Sequence, residues 1–380
     1  MSTPRDKVLF CANITYHIKA FHLPYLQWFR DQGYEVHVAT GDDDELPECD
    51  VKHAIAMTRS PFNLGNLSGL KQLKGIIDRE CFRAIHCHTP MGGAVARLAA
   101  RDARRRGTRV LYTAHGFHFY SGAPWLNWML YYPVEKWLSR YADCLITINQ
   151  EDYDRALRQR FRSGEIRKID GMGVALERFS PVGAEGKKAL RSRFGYRENE
   201  FILAYVAEIS RRKNQEFLLR VAALLRREMT DLRILIIGPD SLAGKCQELV
   251  AKLGLGEWVT FLGRRDDVNT LLGLADLYVS TSRQEGQGIN IIEGMAAGLP
   301  VCATKIRGHN DLIVDGENGF LVELDDAVGF ARRIATLREN KGMANEMVKN
   351  AFGRISRYAK AKIFEDICAI YRAHGLARHN

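Results

Sequence analysis

The sequence lacks several patterns that would place it in common protein classes. No apolar run approaches the length of a membrane-spanning helix, and residues 1–9 are too short and too polar for a signal peptide. The eight cysteines form no Cys-x-x-Cys pair, and several, such as Cys11 and Cys302, lie in apolar strand patterns. These features are typical of reduced core thiols, and we expect a cytoplasmic protein.

Nucleic-acid-binding signatures are also missing. The sequence has no zinc finger, no aromatic RNA-recognition signature and no basic region followed by heptads. Its net charge of +10 favours an anionic partner such as a nucleotide or an acidic lipid surface. A merely basic, soluble surface accounts equally well for most of the individual charges. We expect no nucleic-acid partner.

What the sequence does contain is a repeated strand–helix–strand pattern. A chain of 380 residues is too long for one ordinary core, so two domains are expected. A buried strand at residues 7–13, a helix at 21–32 and a strand at 35–40 predict a parallel α/β unit. The pattern restarts at residues 201–207. The predicted fold class is therefore α/β, with one parallel sheet in each half.

The most informative segment follows a predicted buried strand at residues 277–280. Gly286 and Gly288 allow a tight turn, a helix begins near Ile289, and Gly298-Leu299-Pro300 ends it. A glycine turn leading into a helix N-terminus favours phosphate, because free N–H groups and the helix dipole point at it.

Two carboxylates flank this turn. Glu285 precedes it and Glu293 lies one turn into the helix. Since carboxylates repel phosphate, they are better suited to sugar hydroxyls on either side of it. The alternative makes Glu293 a solvated helix residue and Glu285 a partner of the helix dipole. The surrounding strand, glycines and helix end favour the ligand interpretation.

The spacing of Glu285 and Glu293 resembles the Glu-x7-Glu motif of retaining family 4 glycosyltransferases, which have the GT-B fold. The resemblance covers almost the whole chain. It implies two Rossmann-like parallel-sheet domains that face a cleft. These would be an N-terminal acceptor-side domain at residues 1–180 and a C-terminal nucleotide-sugar-binding domain at 181–359. A C-terminal helix at about residues 360–380 would pack back on the first domain.

The resemblance also implies roles for the donor site. Lys213 matches the lysine that grips the donor diphosphate, Glu285 would hold the sugar hydroxyls, and Glu293 would hold the ribose. Backbone N–H groups of the turn would bind sugar and phosphate; the turn residues are Gly286, Gln287, Gly288 and Ile289. Glu208 stands where the family has an arginine, and either Arg211 or Arg212 would compensate.

Histidines mark the other half of the site. His115 ends a predicted strand, where side chains face the ligand crevice of an α/β sheet. By resemblance it contacts the donor sugar beside the reacting carbon. His17 and His22 match a His-x3-Phe-His-x-Pro form of the capsule and exopolysaccharide branch, which would lie on the acceptor side. The alternative is that both only cap and pack the first helix.

No metal site and no cofactor are expected. The acidic segment at residues 41–45 contains Asp-x-Asp, but in a polar loop typical of solvated carboxylates. His86 and His88 share one strand face without an obvious carboxylate or cysteine partner, so we interpret them as core and cleft-edge residues.

Two segments of the first half suggest a membrane surface. A basic cluster is either a solvated helix end or an anionic-lipid patch; it comprises Arg101, Arg104, Arg105, Arg106 and Arg109. Residues 124–137 are dense in Trp and Tyr, which favour membrane interfaces, although core packing accounts for most of them individually.

Together with these features, the resemblance implies a retaining, metal-independent glycosyltransferase. It would move a hexose or N-acetylhexosamine from a nucleoside diphosphate, with UDP as the expected carrier, to a lipid-linked or oligosaccharide acceptor in surface-glycan synthesis. It would lie peripherally on the inner face of the cytoplasmic membrane. The alternatives are a nucleotide-sugar epimerase of the same fold and a non-catalytic partner subunit.

Overall fold

The computed structural model describes residues 5–377. Residues 1–4 and 378–380 lie outside this range, so the predictions for the first nine residues and for the C-terminal helix at about 360–380 are followed only within it. The chain forms two compact units. The first contains the residues up to Met172 and those from Ala361 onward, and the second is Gly173–Lys360. The second unit begins slightly before the predicted boundary at residue 180, because the Val174 N–H donates to the Tyr358 carbonyl at 2.8 Å.

Within the described residues, the first unit has a seven-stranded parallel sheet in the order β3-β2-β1-β4-β5-β6-β7. The strands are β1 (Lys7–Cys11), β2 (Glu35–Thr40), β3 (Val51–Ala54), β4 (Ala84–His88), β5 (Arg109–Ala114), β6 (Cys144–Thr147) and β7 (Glu165–Lys168). The strand order reverses direction between β1 and β4, which is where ligands bind in open α/β sheets.

Helices cover both faces of this sheet. They are α1 (Thr15–Phe21), α2 (Leu23–Asp31), α3 (Gly65–Glu80), α4 (Pro90–Ala99), α5 (Arg101–Arg105), α6 (Trp125–Leu138) and α7 (Gln150–Arg158), together with the last helix of the chain, α16 (Lys360–Ala373). The sequence predicts a loop between the strand at 7–13 and the helix at 21–32. This prediction is wrong, because α1 occupies most of that segment. A separate helix, α2, then begins at Leu23, with Pro24 in its first turn, where the missing N–H costs nothing.

The second unit has a six-stranded parallel sheet within the described residues, in the order β10-β9-β8-β11-β12-β13. The strands are β8 (Phe201–Val206), β9 (Leu232–Ile237), β10 (Val259–Gly263), β11 (Leu277–Ser280), β12 (Val301–Thr304) and β13 (Phe320–Val322). The helices are α8 (Ala184–Arg193), α9 (Gln215–Leu225), α10 (Lys245–Leu253), α11 (Val268–Leu272), α12 (Ile289–Ala296), α13 (Arg307–Asn310), α14 (Ala327–Glu339) and α15 (Lys341–Ile355).

Alternation along β1 shows how the first core is divided. Val8 and Phe10 pack with α2 and α16 on one face of the sheet, whereas Leu9 and Cys11 pack with α3 and α4 on the other. Because parallel strands are buried on both faces, these residues read as a continuous apolar run. The structure confirms the predicted α/β class with two parallel-sheet domains. None of the helices in the described part is long and apolar enough to span a bilayer.

Candidate active site

The glycine turn of the second unit lies between β11 and α12. Gly288 has φ +87°, which a side chain would strain, and a Cβ there would lie 3.3 Å from the His309 ring. Gly308 comes closer still from the other side, since a Cβ would lie 2.9 Å from the backbone nitrogen of Gln287. Of the two predicted turn glycines, Gly288 is the one with a left-handed conformation. The two close approaches fix the turn against the α13 segment.

Glu285 is the centre of a charged cluster beside this turn. Its carboxylate lies 2.5 Å from the Lys213 ammonium and 2.9 Å from the Arg212 guanidinium, and it accepts a 2.7 Å hydrogen bond from Ser282. Burial opposes its ionisation, but the charges of Lys213 and Arg212 outweigh burial and lower the pKa of Glu285. The carboxylate is therefore ionised and held by charge-assisted hydrogen bonds.

A buried tyrosine positions the lysine, and sequence analysis missed it. The Tyr205 hydroxyl donates to the Lys213 carbonyl at 2.6 Å and lies 3.1 Å from the Ser282 hydroxyl. Thr281 donates to the carbonyl of Asn214, the next residue, at 2.9 Å. These bonds tie the loop after β8 to the loop after β11. A lone tyrosine in an apolar strand carries no signal of this role.

Glu293 differs sharply from Glu285. It is largely buried on α12, and among the described residues its side chain makes no hydrogen bond or ion pair. Burial raises the pKa of Glu293 to about 7, and the charge of Arg178 only partly opposes this. An unpartnered carboxyl group of this kind is available to accept hydrogen bonds from a ligand.

The two arginine candidates behave differently. Both side chains are exposed, but Arg212 reaches Glu285, whereas Arg211 makes no ion pair or hydrogen bond among the described residues. Glu208, at the position of the family arginine, is exposed and accepts a hydrogen bond from the Ser241 hydroxyl. The structure therefore brings Arg212, and not Arg211, to Glu285.

His309 and Arg307 lie beneath the turn. The His309 ring lies 2.7 Å from the Thr304 carbonyl and 3.3 Å from the Ser280 hydroxyl, and burial lowers its pKa to about 4. Arg307 donates to the Glu285 carbonyl at 3.3 Å. The support that these two residues give to Glu285 could not be inferred from the sequence.

In the first unit the structure brings four histidines together. The Nε2 atoms of His17 and His115 are 3.2 Å apart, and the rings of His22 and His88 stack with centroids 3.7 Å apart. His17 and His22 come from the α1 region, His88 ends β4 and His115 follows β5. His17, His22 and His115 were predicted site residues, whereas His88 was interpreted, together with His86, as a core or cleft-edge residue. We call this set the histidine cluster.

The histidine cluster is neutral. Burial lowers the pKa of His17 to about 4 and lowers the pKa values of His22, His88 and His115 well below the usual range, with the neighbouring rings adding to the shift. The ring nitrogens of His22 and His88 have no hydrogen-bond partner among the described residues. Such unpaired buried nitrogens cost free energy.

The histidine cluster could hold a metal by geometry. One nitrogen from each ring lies within 4.8 Å of the others, and neutral imidazole is a good ligand for Zn²⁺. The group contains no carboxylate, however, so a dication there would be buried without a compensating charge. Charge therefore argues against a permanently bound cation.

The acidic loop at residues 41–45 stabilises the start of α1. Asp42 accepts hydrogen bonds from the backbone N–H and the hydroxyl of Thr15, at the start of α1, and it lies 3.8 Å from the Lys52 ammonium. The predicted solvated loop is thus partly engaged in holding α1, which leaves Asp42 less available to a metal.

The basic cluster is paired rather than free. Each of its five arginines forms an ion pair with Asp78, Asp102 or Asp143. These pairs neutralise much of its charge, and they favour the interpretation as a solvated helix end.

Known proteins resemble this chain in sequence. Residues 186–354 match the family described as glycosyl transferases group 1, and residues 23–169 match the glycosyl transferase 4-like domain. EpsD of Bacillus subtilis (strain 168), provisionally described as a glycosyltransferase, is 48% identical over 97% of both chains. The UDP-Gal:alpha-D-GlcNAc-diphosphoundecaprenol alpha-1,3-galactosyltransferase of Escherichia coli is 27% identical over 76% of both chains.

A solved structure also shares the fold. HepE of Anabaena, crystallised in complex with UDP, superposes with a TM-score of 0.77 and 20% identity over 97% of this chain and 100% of its own. With two family matches that together cover most of the sequence and a relative at 48% identity, the chain belongs to the family 4 glycosyltransferases, which have the GT-B fold.

Proposed function

We propose that this protein is a retaining glycosyltransferase that moves a hexose or N-acetylhexosamine from UDP to a lipid-linked or oligosaccharide acceptor in surface-glycan synthesis. One observation carries the proposal: Lys213, Arg212 and Glu285 form a charged cluster at the glycine turn that leads into α12. The cluster combines cations for a diphosphate with a carboxylate for sugar hydroxyls, and the two act on adjacent parts of one donor.

The donor site would stabilise the leaving group by fixed charge. Negative charge develops on the diphosphate as the glycosidic bond breaks, and preorganised cations and helix N-termini lower the energy of that transition state. The Glu285 carboxylate holds both the Lys213 ammonium and the Arg212 guanidinium, so both cations are already ordered. Turn N–H groups from Gly286 to Ile289 would bind the sugar and phosphate. No divalent cation is required by this scheme.

Glu293 would accept the two ribose hydroxyls. Its buried carboxyl group has no hydrogen-bonding partner in the described part of the chain, and hydroxyl donors would favour its ionised form. Glu285 would accept hydroxyls of the transferred sugar. No described residue near this cluster is assigned as a nucleophile, and we expect front-face attack assisted by the leaving phosphate.

The first unit would hold the acceptor. The histidine cluster offers neutral ring nitrogens to hydroxyl groups, and we assign His17 and His22 to the acceptor and His115 to the reacting sugar. The Escherichia coli relative, which acts on a diphosphoundecaprenol-linked sugar, supports a lipid-linked acceptor. Such an acceptor would place the protein at the inner face of the cytoplasmic membrane.

Two other functions make different predictions. A nucleotide-sugar epimerase of this fold would convert a UDP-sugar to its epimer without any acceptor. A non-catalytic partner subunit would have no need for an ordered Lys213, Arg212 and Glu285, so the intact cluster favours an enzyme.

The test is a panel of radiolabelled nucleotide sugars, each incubated with the purified protein with and without a polyprenyl-diphosphate-linked sugar. We expect slow hydrolysis of one UDP-sugar and faster transfer when the acceptor is present, with retained anomeric configuration by NMR. Epimer formation from the UDP-sugar alone would replace this proposal with the epimerase. Turnover of none of the sugars would favour the partner subunit.

A further inference from the structure

Helix α6 presents an unusual apolar surface. Only Leu138 of its fourteen residues is buried, although most of the helix is apolar. The exposed residues form two rows in which neighbours are four residues apart, so they lie on one face of the helix. One row is Leu126, Leu130 and Val134, and the other is Trp125, Met129, Pro133 and Trp137. Trp125 is 73% exposed and Met129 is 54% exposed. Core packing, which the sequence predicts for most of the aromatic residues individually, holds for Trp128, Tyr131 and Tyr132 but not for this face.

A cavity of about 630 Å³ lies beside α6 in the same unit. Leu130, Val134 and Leu138 form part of its wall, so the exposed face of α6 continues into the cavity. Much of the remaining wall is aromatic or aliphatic, including Phe21, Met91 and Phe119. Contiguous apolar surface of this kind marks a site for an apolar partner.

Polar groups also line the cavity. His17 and Asn13 come from the β1–α1 region, near the carboxyl ends of the central strands, and Arg59 comes from the segment before α3. Arg59 makes no ion pair in the described part of the chain. Glu135, a carboxylate in the wall, is neutralised by the buried Arg97 at 2.8 Å. The cavity therefore combines a long apolar wall with an unneutralised cation.

We propose that this cavity binds the first isoprene units of a polyprenyl diphosphate, with the phosphates at Arg59 and the rest of the chain along the exposed face of α6. This inference rests on the proposed function and defines its acceptor class. At about 30 Å³ for each water-sized group, which is close to the size of a methylene, the cavity holds roughly 20 such groups, or about four isoprene units. A diphosphate with an apolar tail matches both the charge and the apolar surface.

The experiment measures lipid binding without any donor. Isothermal calorimetry would compare geranylgeranyl diphosphate, with four isoprene units, with geranyl diphosphate, with two, and with inorganic pyrophosphate, all below their critical micelle concentrations. We expect the four-unit compound to bind at least about tenfold more tightly than the two-unit compound, since it buries more apolar surface. Pyrophosphate should bind most weakly.

Two variants locate the site. Val134→Asp puts a charge on an exposed position of the cavity rim and should weaken binding of geranylgeranyl diphosphate at least about tenfold. Val328→Asp is the matched control, since Val328 is 61% exposed on α14 in the other unit and should leave binding unchanged. Arg59→Gln should weaken binding of the diphosphate but not of geranylgeraniol, which lacks the charge.

Several outcomes would overturn the proposal. Equal binding of pyrophosphate and geranylgeranyl diphosphate would indicate an anion site only, and unchanged binding by Val134→Asp would place the lipid elsewhere. A dimer in gel filtration that Val134→Asp dissociates would make the face of α6 an interface between two copies. If the protein bound vesicles of anionic lipid but not geranylgeranyl diphosphate, the face of α6 would contact a bilayer surface and the cavity would not bind a polyprenyl chain. UDP binding, measured separately, tests the donor site, so the two proposals fail independently.

Discussion

The polar clusters of the two units treat charge in opposite ways. In the second unit, Glu285 is ionised and paired with Lys213 and Arg212. In the first unit, the histidine cluster is neutral, and two of its rings have no hydrogen-bond partner among the described residues. Glu285 and the histidine rings are all substantially buried, so burial alone does not explain why one is ionised and the others are neutral. The difference comes from the neighbouring cations, which only Glu285 has as ion-pair partners.

This difference matches the parts of the reaction that we assign to each unit. A cluster of ordered charges suits a leaving group that becomes more negative, because it needs no reorganisation during the reaction. A cluster of neutral rings suits hydroxyl groups, since each ring can donate and accept. Replacing one residue of each cluster should therefore affect turnover and pH-dependent stability differently.

The largest effect should follow from removing the ordered cation. We expect Lys213→Ala to lower kcat about 100-fold or more, as for the loss of one preorganised charge, while the fold survives. Lys187→Ala is the matched control, because Lys187 also pairs with a carboxylate, Asp276, but outside this cluster. Steady-state kinetics with saturating donor measure both variants. A kcat of Lys213→Ala within a few-fold of wild type would remove the leaving-group role.

The two units should also differ in their response to pH. The folded pKa of His17, about 4, lies below its usual 6.5, so the unfolded chain binds more protons as the pH falls from 6.5 to 4, and stability is lost there. The folded pKa of Glu293, about 7, lies above its usual 4.5, so its contribution is present below pH 4.5 and is lost as the pH rises through 7.

Glutamine variants separate these two contributions. Relative to wild type, His17→Gln should gain stability on acidification from pH 6.5 to 4, and Glu293→Gln should gain stability as the pH rises from 4.5 to 8. Each difference should be about 3 kcal/mol across its range. Urea unfolding at several pH values, followed with probes in each unit, measures both. If both variants changed with pH in the same direction, the contrast between the clusters would be lost.

A smaller effect is expected on nucleotide binding. Glu293→Ala leaves the ribose hydroxyls without an acceptor, which costs about 1–3 kcal/mol, so UDP should bind roughly tenfold or more weakly. Glu346→Ala, at an exposed glutamate of α15, serves as the control. Calorimetry with UDP, ADP and GDP measures the affinities. Unchanged affinity for every nucleotide would exclude the ribose role.

No effect is expected from chelation. Because Lys213, Arg212 and the start of α12 supply the positive charge, EDTA should leave turnover largely intact, and added Mg²⁺ or Mn²⁺ should not raise it. Metal analysis of the untreated protein should find no stoichiometric zinc in the histidine cluster. If EDTA abolished turnover and a divalent ion restored it, the metal-free scheme would be wrong and both clusters would need new roles.

Local signals explain which parts of the fold could be predicted. The strand Leu277–Ser280 and the start of α12 at Ile289 follow from an apolar run and the glycines after it. Helix α1 was missed because the segment from Tyr16 to His22 combines aromatics and histidines without a capping side chain. The short strand β3 lies at the sheet edge and is only partly buried, so its apolar signal is weak.

The residues of the candidate site could be named from the sequence, but the contacts between them could not. Lys213 and Glu285 each matched a motif, yet their contact joins loops 72 residues apart in sequence. The histidine cluster depends on the convergence of three strand ends, which no spacing of histidines along the chain reveals. Helix α6 shows the opposite case, because its aromatic composition suggested an interface, and only the structure shows which side of it is exposed.

The return of α16 to the first unit has a consequence for synthesis on the ribosome. The Tyr371 hydroxyl lies 2.7 Å from His86 Nδ1, in the layer beneath the histidine cluster, and Ile367 and Tyr371 belong to the core of that unit. The first unit therefore stays incomplete while residues 173–360 are made, which takes about 10 to 40 s at roughly 5–20 residues per second. The unit that begins first is finished last, and its apolar α16 docking face stays open to chaperones throughout that interval.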